Sequence, residues 1–113
     1  MVHRGEAGDE RRHEMAGTVY KFWRMRYKGA WYQLSEEEQN AHAAKIEEAL
    51  EQVGGKRVIV CVTGWSDEKW IAYGVEEFPS IEAAQQHAQL LFDMGHLWYF
   101  EGESTLGTEW QSL

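Results

Sequence analysis

The chain has one cysteine and one proline in 113 residues, fewer basic than acidic side chains, and no apolar run long enough to cross a bilayer. A single thiol, Cys61, leaves no internal disulfide to form. Its setting in Val-Ile-Val-Cys-Val predicts a small buried apolar residue in a reducing compartment. Those valines supply neither a base nor a positive charge, so a catalytic thiolate is not expected. The missing apolar run excludes a membrane-spanning helix, and the charged N-terminus lacks the apolar core of a signal peptide; a cytoplasmic location is expected. A formal net charge of -8 would repel nucleic acid and anionic membranes. The only basic groupings, Lys56-Arg57 and the alternating Arg24, Arg26 and Lys28, are too small to reverse that. No Cys/His spacing of a metal site occurs, nor a phosphate-cradling glycine loop, nor a defensible Ser/His/Asp order. Gly54-Gly55 reads as a helix stop, and neither metal nor cofactor is expected.

What the chain does have is apolar and aromatic: 43% hydrophobic residues and 13% aromatic ones, enough for one domain with a real core. Residues 1–16 are nearly devoid of apolar side chains and mix charges with Gly5 and Gly8. They are expected to form a mobile tail, with Met15 a plausible second translation start and His3 and His13 solvated. The folded domain is placed at 17–113.

The segment from Trp70 to Gly95 organises the rest. Trp70 to Phe78 alternates as a strand, with Ile71, Tyr73 and Val75 on one face and Trp70, Ala72, Gly74, Glu76 and Phe78 on the other. Pro79 ends it, and Ser80 can cap a helix whose apolar stripe is Ile81, Ala84, Ala88 and Leu91 and whose stop is Gly95. Upstream, Thr18 to Tyr27 is a strand with aromatics on both faces, Val19, Lys21, Trp23, Met25 and Tyr27 against Thr18, Tyr20, Phe22, Arg24 and Arg26. Gly29 to Tyr32 reads as a connection. Ser35-Glu-Glu-Glu38 forms a capping box for a helix reaching about Val53, with Ile46, Ala49, Leu50 and Val53 inward. Arg57 to Trp65 reads as a nearly continuous apolar strand in a hairpin with the Trp70 strand, and His96 to Glu103 as a last strand. The order βαββαβ predicts an α+β, ferredoxin-like domain: a four-stranded antiparallel sheet with two helices on one face. Six tryptophans and five tyrosines leave too much apolar area on the other face for a monomer, so a homodimer through the sheet face is expected.

The split units and the corner Phe78-Pro79-Ser80-Ile81-Glu82-Ala83-Ala84 resemble the dimeric α/β-barrel superfamily, which includes antibiotic-biosynthesis-type and haem-degrading monooxygenases, EthD-like proteins and stress-responsive barrel proteins. Trp31 to Glu38 and the cluster Trp98-Tyr99-Phe100 look like features of its uncharacterised members. The resemblance spans about residues 17 to 104. It implies a barrel formed by two sheet faces, with a pocket between helices and sheet or inside the barrel. Haem-degrading members use an Asn on the first strand, a Trp on the third and a His on the second helix. Trp70 and His87 match the last two, but Thr18 to Tyr27 holds no Asn.

Three residues are candidates for proton chemistry. His87 lies beside the stripe of the second helix, His96 lies where that helix gives way to the last strand, and Glu76 is a carboxylate among aromatics. His42 on the first helix is a weaker candidate. Each has a plain alternative: a boundary histidine with a hydrogen bond, or a Glu76 paired with Arg24 or Arg26 across strands. For ligand binding, Trp23, Trp65, Trp70 and Trp98 could line an aromatic pocket or simply fill core and interface, and Arg24 could hold an anion bidentately or lie on the surface. The functional expectation is a homodimeric domain holding a small apolar or aromatic molecule. The alternatives are a cofactor-independent monooxygenase-like enzyme and a purely structural dimerisation domain.

Overall fold

Local chemistry sets where the two long helices begin. In the computed structural model, which describes residues 17–110, the Ser35 hydroxyl accepts from the Glu38 amide at 3.1 Å while the Glu38 carboxylate accepts from the Ser35 amide at 3.0 Å. This reciprocal cap starts a helix at Glu36–Gln52. The Ser80 hydroxyl likewise accepts from the Ala83 amide at 3.0 Å and starts the helix Ile81–Asp93. Beyond it, Gly95 has φ 78°, a conformation that only glycine adopts without strain, and turns the chain back towards the sheet.

Numbered in chain order, the strands are β1 (Val19–Tyr27), β2 (Lys56–Val62), β3 (Ala72–Phe78) and β4 (Phe100–Gly107). The helices are α1 (Gly29–Tyr32), α2 (Glu36–Gln52), α3 (Ile81–Asp93) and α4 (His96–Tyr99). All strand pairs are antiparallel and the sheet order is β2-β3-β1-β4, the ferredoxin-like arrangement expected. The expected tail at 1–16 and the last three residues of the expected domain lie outside the described residues. No helix among the described residues is long and apolar enough to cross a membrane.

Several local expectations are corrected. Gly29 to Tyr32 is a helical turn rather than a plain connection, and it buries Trp31. His96 to Tyr99 is another turn, so the last strand begins only at Phe100. Trp65 falls outside β2 and Trp70 outside β3. Cys61 is exposed, as is every residue of β2. An apolar run suggests a buried strand, but β2 is the sheet's outer edge, bonded to β3 alone, and all its residues are exposed. On α3 the buried line is Ala83, Ala84 and His87, whereas Ile81 is 44% exposed and Ala88 is exposed. The helix is rolled so that its two small alanines approach Phe78 closely, which carries His87 from beside the stripe to its centre.

The core of Val19, Leu50, Val53, Phe78, Ala83 and Ala84 fills one end of the space between helices and sheet. An aromatic cluster closes the other end. Trp31 stacks on Tyr27 with ring centroids 5.0 Å apart and packs on Phe100 at 5.1 Å and Tyr99 at 6.1 Å. Between these two plugs the layers do not meet.

Candidate functional site

The gap between the layers is a cavity of about 670 Å³, within the range of small-molecule sites. Side-chain alternation along β1 and β3 supplies its floor. Val19 and Phe78 are register partners in the core, so their neighbours two and four residues on, Lys21 opposite Glu76 and Trp23 opposite Gly74, face the helices too. A Cβ at Gly74 would lie 2.2 Å from the Trp23 indole, so that ring lies directly over the β3 backbone at Gly74 and only glycine leaves room for it. Replacing Gly74 with alanine is expected to destabilise the fold by about 1–3 kcal/mol through overpacking. A chemical-denaturation midpoint equal to that of the unaltered chain would show that the indole moves aside freely.

The acidic and basic groups of the floor are arranged by a bulge in β2. Arg57 pairs in register with Glu76, but Ile59 pairs with Val75, so the strand skips a step at Val58. Residues two apart would otherwise share a face. Here Arg57 turns towards the helices, forming an ion pair with Glu47 of α2 and approaching Glu76 at 3.6 Å, while Ile59 turns to the opposite face. Glu76 is 4% exposed, and burial pushes its carboxyl above the usual range, with Lys21 and Arg57 holding it partly down. Burial also lowers Lys21, a trend that Glu76 opposes. The ammonium of Lys21 makes no hydrogen bond or ion pair among the described residues.

His87 borders the cavity yet is only 1% exposed, which puts it at the inner wall, 5.1 Å from the Phe78 ring. Neither ring nitrogen has a hydrogen-bond partner. Desolvation, reinforced by the charges of Lys21 and Arg57, lowers its pKa from the ordinary 6.5 to about 4. His96 also lines the cavity, stacked on Phe100 at 4.2 Å, and its Nδ1 lies 3.3 Å from Nε2 of the buried His42. Burial, then the neighbouring His42, lowers His96 to about 4 as well. Such a pair needs one ring to donate and the other to accept, which two neutral imidazoles satisfy and two imidazolium ions cannot.

The cavity therefore gathers His87, His96, Glu76 and Trp23 of the residues singled out in the sequence. Arg24 reaches its border, but the guanidinium is engaged on the opposite face by Glu103 and lies 5.2 Å over the Trp70 ring. Trp65, 85% exposed in the β2–β3 connection, does not line the cavity. Nor do Trp98, 74% exposed on α4, and Trp70, which is held between Arg24 and Lys69. Lys21, Arg57, Trp31 and Phe100 were not singled out. A lysine alternating with Trp23 and Met25 was a signal for the first, whereas the bulge that aims Arg57 leaves no mark in the sequence. Among the described residues no group of three His, Cys, Asp or Glu side chains could hold a metal ion.

The opposite sheet face carries an open concavity of about 420 Å³ lined by Phe22, Ile59, Cys61, Tyr73 and Val75 among others. Phe22 is 51% and Ile59 53% exposed, so this face is apolar and wet in the single chain.

No family model and no curated protein matches the chain. Solved structures do. Chlorite dismutase from Candidatus Nitrospira defluvii in complex with imidazole superposes with a TM-score of 0.70 at 13% identity, covering 93% of this chain and 45% of that one. A mutant of the same protein gives 0.69 at 13% identity over 86% and 42%. A protein of unknown function from Rhodopseudomonas palustris gives 0.58 at 16% identity over 98% and 97%. The chain spans less than half the length of the chlorite dismutase chains and nearly all of the Rhodopseudomonas one. At these identities the likeness shows the fold: this chain has the ferredoxin-like α+β arrangement shared by those structures.

Proposed function

We propose that the chain is a binding domain that holds one small, mainly apolar or aromatic molecule between its helices and its sheet. The observation that carries this reading is the aromatic-walled cavity whose inner wall is a buried histidine with two unused ring nitrogens. A packed core would fill such a space, and a buried polar group without a partner costs about 1–3 kcal/mol unless a ligand or water completes it. Proton-transfer chemistry, as in a cofactor-independent monooxygenase, is less well supported. His87 and His96 have pKa values of about 4, far below the neutral range that suits a general base. The residue set of haem-degrading proteins is not assembled either, since Trp70 lies off the cavity and β1 contains no Asn.

The test is a fluorescence titration with an uncharged apolar dye such as Nile red. Saturable binding of one equivalent per chain is expected, and Ala88→Trp, which enlarges a residue of α3 that lines the cavity, should abolish it. Absence of saturation, or undiminished binding by a folded Ala88→Trp chain, rules the reading out.

The same reading includes pairing of two copies through the apolar sheet face, supported by the exposure of Phe22 and Ile59 and by the edge position of β2. Sedimentation at micromolar concentration should report a dimer, and Phe22→Glu with Ile59→Glu should report protomers. Protomers from the unaltered chain would remove this part of the reading.

A further inference from the structure

Most polar groups around the cavity are already engaged with one another. Arg24 is paired with Glu103, Arg57 with Glu47 and Glu76, and His96 with His42. Lys21 and His87 stand apart: the ammonium has no ion-pair partner among the described residues, and the imidazole has no partner on either nitrogen. Both line the same cavity, as does His96. The lining includes three carboxylates, Glu47, Glu76 and Glu103, against Lys21, Arg24 and Arg57. The two arginines take these carboxylates as ion-pair partners, Arg24 with Glu103 and Arg57 with Glu47 and Glu76, and Lys21 has none within ion-pair distance among the described residues. Apolar and aromatic side chains make up much of the remaining wall, and on its floor the Trp23 indole lies over Gly74 and lines the cavity.

We infer that the occupant is an aromatic carboxylate, its carboxylate received by the Lys21 ammonium and its ring laid against Trp23. This rests on the pocket reading and names the ligand class that would fill it. One ammonium suits a single negative charge, its N–H donors reaching either oxygen of a carboxylate. A phosphate dianion would need more donors, and both cavity arginines are already engaged. The flat indole suits a planar ring by offset stacking.

The test compares naphthoate with naphthamide, its uncharged isostere, by calorimetric titration of the full chain near neutral pH. Naphthoate is expected to bind about tenfold or more tightly than naphthamide, the effect of one charge-assisted hydrogen bond in a water-poor site. Lys21→Met should bring the two affinities within about threefold of each other, as one lost charge contact requires. Equal affinities in the unaltered chain, or a preference for naphthoate that survives Lys21→Met, would overturn the inference while leaving the pocket reading in place. Failure of both probes, with circular dichroism showing a folded chain, would overturn the pocket reading as well. If Lys21→Met does not fold, the ratio of the two affinities in the unaltered chain decides alone.

Discussion

Acidification from about pH 8 to about pH 5 is expected to remove about 4 kcal/mol of folding stability, most of a small domain's margin. The cause is burial of neutral imidazole. His87 and His96 have pKa values of about 4 in the folded chain against an ordinary 6.5. Between those values the unfolded chain binds protons that the folded chain refuses, so stability falls as pH falls through about 6.5 towards 4. At about pH 5 each histidine contributes about 2 kcal/mol of that loss. His42, also lowered by burial, adds in the same direction. Glu76 opposes it, since a carboxyl raised by burial makes the folded chain the better proton binder as pH falls towards its folded pKa. Urea denaturation followed across this range measures the loss, and His87→Leu should remove about half of the slope. A stability that stays flat down to about pH 5 would mean that His87 and His96 are hydrated and that the cavity wall is not as described.

Trp31→Ala is expected to cost about 3–5 kcal/mol, the range for deleting a buried large aromatic ring. Trp31 is 8% exposed and touches Tyr27, His42, Tyr99 and Phe100, so it joins α1 to β1, α2, α4 and β4. The same ring closes one end of the cavity, and its removal should also weaken dye binding. A thermal midpoint within a few degrees of the unaltered chain, which for a domain of this size corresponds to about 1 kcal/mol, would show that the cluster repacks without it.

The two predictions draw on residues that differed in how visible they were. His87 was visible because a histidine stands out among the alanines and leucines of an amphipathic helix. Its place in the buried line was not, because the roll of α3 depends on how closely Ala83 and Ala84 let it approach the sheet. Trp31 looked like part of a connection. A four-residue turn has too little periodicity to declare itself, and the stacking that makes it structural involves residues up to about seventy positions away. Glu76 and Trp23 followed from alternation, which depends only on the extended backbone. The same alternation failed for Trp70, because the strand ends before reaching it.

By itself the sequence determined the element order, the caps at Ser35 and Ser80, the stop at Gly95 and which residues of β1 and β3 share a face. These are short-range consequences of backbone geometry and hydrogen bonding, complete within a few residues. The tertiary structure alone decided that β2 lies exposed at an edge, that a bulge turns Arg57 onto Glu76, and that His42 meets His96. It also decided that Lys21 and His87 share one cavity. Those outcomes depend on which layers meet and where they stand apart, and that separation is fixed by side chains packing across the whole domain.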